Sequence, residues 1–151
     1  MGSNINTVWE VLASQANTAA LRAGSRLEQI TQRKHKIIAR QSKIAALLVE
    51  YSGLSNALQS DTLGYIEIDN CRKFIVQLMD LQNRSSHEYM EIEVDYGKAQ
   101  KVLILANQEK LKAEFLVQRE REAQKQVLMG KENQELEIQS ITQFNLRRQL
   151  L

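Results

Sequence analysis

Apolar side chains recur along residues 9–51 at alternating steps of four and three: Trp9, Ala13, Ala16, Ala20, Ala23, Leu27, Ile30, Ile37, Ile44, Leu48 and Tyr51, with Lys34 and Gln41 the polar members of the ladder. A spacing of 3.5 residues held over six heptads keeps one seam of a helix against a partner helix as the two supercoil. A helix packed into a globular core carries a wider apolar stripe and seldom runs so far without a breaker. The pattern predicts a coiled-coil strand. Alanines dominate the first half of the seam, which allows close helix approach, and Ile and Leu fill the second half. Lys34 and Gln41 lower the stability of the seam but restrict its register and partner state.

Asn4 or Asn6 is positioned to cap this helix. Gly24 is an interior glycine costing about 1 kcal/mol, and Ser52-Gly53 is the first plausible stop, with Gly53 suited to a left-handed cap. Residues 52–65 read as a connector with a short helical turn near Leu54 to Leu58. Helix resumes near Glu67 or Asp69 and, with no proline in the chain, can continue almost to its end. Its seam reads Cys71, Phe74, Leu78 and Leu81, weakens through Ser85 and Glu88, and recovers at Ala99, Val102, Ala106, Ala113, Leu116, Ala123 and Val127. Beyond that, Ile141 and Phe144 are interspersed with Gly130, Gln134 and Glu137. At 1.5 Å per residue the two helical regions measure roughly 70 Å and 120 Å, so a plain hairpin leaves part of the second arm unpaired. A break at residues 84–87 or at Gly97 would thicken the tip and bring the C-terminus beside the N-terminus. Unpaired apolar seam in water is costly, which favours the break. The expected fold is all-α: a long antiparallel two-helix coiled-coil hairpin with a short helical tip and both termini at one end. It forms one stalk domain, with arm 1 over about 4–52, the tip over about 53–97 and arm 2 over about 98–149.

Composition sharpens this picture. The 151 residues contain no proline, six glycines and 5% aromatics, the mix of long helices. Twenty bases against eighteen acids leave a net charge of +2, too even a balance to point to nucleic acid or a membrane surface as the main partner. The single Cys71 precludes an internal disulfide and suits a reducing cytoplasm. The longest apolar runs, such as residues 102–106, fall far short of the roughly 20 residues of a membrane span.

Chemistry is sparse. His35, His87 and Cys71 lie apart, without ligand spacing. Glu88, Glu91, Glu93 and Asp95 form an acidic cluster, but paired carboxylates run acid–base chemistry only in a desolvated cleft, which a thin coiled coil lacks. Gly53 and Gly64 are without the Lys-Ser/Thr of a phosphate loop. No catalytic residue, cofactor site or metal site is expected. Two features invite a functional reading. The basic run Arg33, Lys34, Lys36, Arg40 and Lys43 is either a solvated helix face or a match to an acidic partner. Tyr51 with Phe74, Leu78 and Leu81 either closes the hairpin tip or forms a docking patch.

Taken together, Trp9-x-x-Leu12-Ala13, Ala19-Ala20, Tyr51, the Ser/Asn/Leu connector, Asp69-Asn70, Phe74-Ile75-x-x-Leu78 and the charged segment EFLVQREREAQKQ (residues 114–126) resemble the FliJ/YscO family of stalk proteins in flagellar and virulence-type III protein export. The resemblance covers nearly the whole chain, and the ungapped spacing from Tyr51 to Phe74 is similar to the flagellar form. It implies a helical pair like the central shaft of the rotary ATP synthase. Such a stalk inserts in the pore of the hexameric export ATPase, promotes its assembly and activity, and contacts the cytoplasmic domain of the export-gate membrane protein. Export chaperones are further implied partners, and the location implied is cytoplasmic, peripheral at the inner-membrane export apparatus. The implied gate-binding face falls on Ile44, Leu47, Tyr51, Phe74, Leu78 and Leu81. Arg22, Arg26, Arg147 and Arg148 are bases available to acidic loops of the ATPase pore. Three positions depart from the flagellar form: Leu47 replaces a tyrosine, Ser85 a histidine and Arg40 a neutral amide. The second reading of the sequence is a generic coiled-coil export chaperone or scaffold.

Overall fold

The computed structural model describes residues 2–60 and 64–150, with side-chain environments for 7–58 and 64–150. Two helices account for the chain: α1 (Gly2–Ser60) and α2 (Tyr65–Gln149). They are packed against each other as a helical hairpin. Two compact units share these helices, one made of Met1–Leu21 with Leu105–Leu151 and the other of Arg22–Ile104.

In the Arg22–Ile104 unit, α1 and α2 run antiparallel. Lys34 pairs with Glu93 and Arg40 with Glu88, while the Tyr51 ring lies 4.5 Å from that of Phe74. As α1 advances from Lys34 to Tyr51, its partners on α2 step back from Glu93 to Phe74. Ile30, Ile37, Ile92 and Ala99 form the centre of the packed seam, flanked by Leu27, Tyr89 and Tyr96. Each isoleucine taken out of water contributes about 2 kcal/mol. Gly24 sits half-buried where a Cβ would meet the Leu103 side chain only at ordinary contact distance, 3.9 Å. In the other unit, Arg121 reaches Glu10 at 3.0 Å, and Ala13 lies in a shallow groove with Glu114, Val117 and Gln118. The pairing there is antiparallel too.

Every member of the α1 ladder from Trp9 to Tyr51 is buried or half-buried. The ladder also continues past its expected end, through buried Ser55 and half-buried Leu58. Helix α1 therefore runs through Gly53, where a stop was expected. The cost of one exposed interior glycine, about 1 kcal/mol, is offset by another heptad of seam. Gly64 carries the left-handed conformation instead (φ 76°) and its carbonyl accepts the N–H groups of Glu67 and Ile68. That geometry starts α2 at Tyr65, earlier than Glu67 or Asp69. Because α1 already begins at Gly2, neither Asn4 nor Asn6 is its cap. Glu67 in the first turn of α2 and Arg147 with Arg148 in its last turn complement the helix dipole.

Two expectations for α2 are corrected. First, it does not break: residues 84–87 and Gly97 lie inside one 85-residue helix, so no thickened tip forms over residues 67–95. A lone glycine and a pair of serines lower helix propensity without ending a helix whose neighbours on the seam are buried. The C-terminal stretch pays for this continuity in exposed surface, since all side chains of residues 125–150 are solvent-exposed. Second, the seam takes a different phase from the one expected. Ile68, Cys71, Ile75, Leu78, Ser85, Tyr89, Ile92, Tyr96, Ala99, Leu103, Ala106, Lys110, Ala113 and Val117 are buried or half-buried. Phe74, Leu81, Glu88, Val102, Leu116, Ala123 and Val127 are exposed. Both columns share Cys71, Leu78, Ser85, Ala99, Ala106 and Ala113 and differ by one residue between them.

The phase of α2 is measurable. Ile92→Ala should cost about 2–4 kcal/mol in a thermal or denaturant melt, whereas Val102→Ala should stay within about 0.5 kcal/mol of the parent. Equal losses at the two positions would contradict the packing described.

Candidate interaction surfaces

Within the Arg22–Ile104 unit, one flank of the hairpin changes character along its length. Arg40 and Glu88 join across it at 3.0 Å. One heptad further along α1 and one back along α2 stand Leu47 and Leu81; a second heptad brings Leu54 and Phe74. These four side chains are between 36% and 47% exposed. Charge pairing thus gives way to an apolar strip near the turn. Tyr51 lies half-buried beside it, its ring tilted 54° against Phe74. Below the strip, Tyr51, Leu54, Leu58, Cys71 and Phe74 line an open groove with Glu67 and Asn70 at its rim. Tyr65, Ile66 and Val76 add further exposed apolar surface in the first turns of α2.

The six residues expected at a gate-binding face therefore divide. Leu47, Tyr51, Phe74 and Leu81 present surface, and Tyr51 and Phe74 are in contact. Ile44 and Leu78 are 5% and 3% exposed, so they support the face from the seam and offer a partner almost nothing to touch. Leu54 and Leu58 belong to the groove and were missed, because the connector was expected to begin before them. Their i+3 and i+7 spacing from Tyr51 was the signal that the helix continued.

The four arginines fall in separate units. Arg22 and Arg26 belong to the Arg22–Ile104 unit, where Arg26 edges a shallow depression with Ala23, Ile30, Asp95, Lys98 and Ala99. Arg147 and Arg148 lie on the exposed end of α2 in the other unit. On α1, Arg22, Arg26, Arg33, Lys36, Arg40 and Lys43 follow the heptad spacing along one flank of the seam, so this basic run is a coiled-coil flank. Among the described residues no three His, Cys, Asp or Glu side chains come together in a way that could hold a metal ion. Nor is any described helix long and apolar enough to cross a membrane.

Lys34 is the polar seam residue with the richest surroundings. Its ammonium pairs with Glu93 and sits 4.7 Å from the centre of the Tyr96 ring, a cation–π arrangement. The hydrogen bond to Glu93 raises the lysine pKa above its ordinary 10.5. The same bond, joined by one from the Tyr89 hydroxyl, lowers the Glu93 pKa below its ordinary 4.5. A lysine here is satisfied across the seam, which is how a charge is tolerated in a column of isoleucines.

The fold is that of the type III secretion protein YscO. The crystal structure of YscO from Vibrio parahaemolyticus matches with a TM-score of 0.71 at 17% sequence identity, covering 95% of this chain and 91% of that one. No family model matches the sequence, and no curated protein matches it. The likeness spans most of the length of both chains, so the helical hairpin as such is shared with YscO. At 17% identity the side chains on its surface are largely this chain's own.

The Lys34–Glu93 pair predicts a pH window. Glu93, with its lowered pKa, stabilises the fold above the ordinary carboxylate value and loses that contribution as pH falls through and below about 4.5. Lys34, with its raised pKa, stabilises below the ordinary lysine value and loses it as pH climbs past about 10.5. Glu93→Gln should therefore melt at lower temperature than the parent at pH 7, with the gap closing toward pH 3 and shrinking in high salt. A gap that persisted at pH 3 would assign the loss to packing.

Proposed function

We propose that this protein is a non-enzymatic central stalk of a flagellar or type III protein export ATPase, inserting in the pore of the hexamer, promoting its assembly and activity, and coupling it to the export gate. The observation that carries this reading is the likeness to YscO over 95% of this chain, YscO itself being described as a type III secretion protein. A two-helix hairpin is thin enough to enter a narrow pore, and its alanine seam from Ala13 to Ala23 brings the helices close together. Arg22, Arg26, Arg147 and Arg148 are the bases proposed to meet acidic pore loops. The apolar strip of Leu47, Tyr51, Phe74 and Leu81, backed by buried Ile44 and Leu78, is the proposed dock for the cytoplasmic domain of the gate protein. Such a stalk works in the cytoplasm, peripherally at the membrane-embedded export apparatus, with export chaperones as further partners. The second reading, a coiled-coil export chaperone or scaffold without an ATPase, uses the same exposed apolar strip to hold a secreted substrate.

The first test mixes the chain with the cognate export ATPase and follows hexamer formation and hydrolysis rate. Stimulation is expected, and deletion of residues 1–12 should lower it while helicity stays nearly intact. No stimulation, with a secreted substrate co-purifying instead, would favour the chaperone.

The dock is tested by titrating the gate protein's cytoplasmic domain. Phe74→Ala should weaken binding about tenfold or more, the scale of an aromatic anchor, with ATPase stimulation unchanged. Leu78→Ala should behave differently and lower the melting temperature, since its side chain is 3% exposed. Full gate affinity in Phe74→Ala would remove the dock from this strip.

A further inference from the structure

Opposite Arg121 of α2 stands Glu10 of α1, only eight residues from the start of α1 at Gly2. Helix α2 continues to Gln149. At that register Gly2 falls opposite about residue 129, so residues 130–150 extend past the described part of α1, and every side chain over 125–150 is exposed. This stretch carries Ile138, Ile141 and Phe144, each at least 60% exposed. Val127, Ile138 and Ile141 also fall on the continuation of the buried α2 column, at the same steps of four and three. The α2 column that meets α1 elsewhere thus carries exposed apolar residues past the described part of α1, with Lys131, Gln134, Asn145 and Arg148 at its other positions.

We infer that this end of α2 binds the same segment of a second copy of the chain, antiparallel, about a two-fold axis near Ile141. Charge order selects that occupant and that direction. Glu132, Glu135 and Glu137 precede Ile141, and Arg147 and Arg148 follow it. An antiparallel pair sets the second copy's arginines beside the first copy's glutamates and packs Ile138 against the second copy's Phe144. A parallel pair would set acid against acid and guanidinium against guanidinium. An isologous contact of this kind is also closed, so it yields a dimer and no filament. The overlap is one short coiled coil, at the low end of interface size, so the dimer should be weak and concentration-dependent. Arg147 and Arg148, proposed above for the ATPase, would be occupied in the dimer, making it a resting form of the free chain.

Sedimentation equilibrium of the full chain tests this without the ATPase, so it can fail or succeed independently of the stalk reading. The mass should rise from monomer at about 1 μM to dimer at about 500 μM. Arg147→Glu with Arg148→Glu should weaken association about tenfold or more, as should Glu132→Lys with Glu135→Lys and Glu137→Lys. Mixing those two variants should restore it. On oxidation Ile141→Cys should cross-link copy to copy, while Gln134→Cys, placed far from its counterpart by antiparallel pairing, should not. A full chain that stays monomeric at the highest concentration would overturn the proposal. So would a dimer indifferent to both charge changes, or equal cross-linking at the two cysteines.

Discussion

Everything in this molecule depends on two helices burying one narrow stripe against each other. Among the described residues there is no third layer: an apolar residue that misses the α1–α2 seam faces water. That constraint explains why isoleucines such as Ile30, Ile37, Ile44 and Ile92 are 2–6% exposed while Val102, Ile104 and Leu105 of α2 are more than half exposed. It also explains the length of the helices. Neither is stable alone in water on propensity, and each heptad added to the seam supports the next. Gly24, Gly53 and Gly97 are carried along because the loss at any one of them is smaller than the burial on either side.

Polar members of the seam mark its register. Lys34 finds Glu93 and the Tyr96 ring, and only one alignment of the helices supplies both. Displacing α2 by one heptad would replace those partners and leave an ammonium among isoleucines, at the cost of its desolvation. Ser85, 2% exposed with an unpartnered hydroxyl, is a weak point in the same column; an unmade buried hydrogen bond costs about 1–3 kcal/mol. The ion pairs Arg40–Glu88 and Glu10–Arg121 lie in water and add little energy, but Arg40–Glu88 agrees with the alignment that Lys34 sets within the Arg22–Ile104 unit.

The two surfaces of interest arise where the pairing rule is broken. Near the turn, the flank that elsewhere carries Arg40 and Glu88 carries Leu47, Leu81, Leu54 and Phe74, so a position normally solvated presents grease. At the far end of α2 the seam column itself is exposed, past the described part of α1. Where the described residues form only shallow, open grooves, such departures from the pattern are the places for binding, and aromatic anchors there can supply most of an interface's energy.

How much of this could be read from the chain differs between the helices. The α1 ladder was legible from Trp9 to Tyr51: only Lys34 and Gln41 interrupt the apolar positions at steps of four and three, and every member is buried or half-buried. On α2 the same rule admits two columns. Cys71, Phe74, Leu78, Leu81 and Cys71, Ile75, Leu78, Gln82 are both consistent with heptad spacing, as are Ala99, Val102, Ala106 and Ala99, Leu103, Ala106. Periodicity measures spacing and cannot say which of two adjacent apolar columns a partner will cover. Contact with α1 decided it, and with it the fate of Phe74 and Leu81, which became surface, and of Tyr89, Ile92 and Tyr96, which became core. Of the proposed dock, Tyr51 and Phe74 were visible as aromatics flanking a connector, whereas the burial of Ile44 and Leu78 and the inclusion of Leu54 and Leu58 required the register. The hairpin itself followed from composition, the lack of proline and the α1 ladder. The unbroken course of α2, the turn at Gly64 and the exposed C-terminal end were decided by tertiary structure, because which stretches of a continuous helical pattern are covered is set by contact with α1 and no local signal records it.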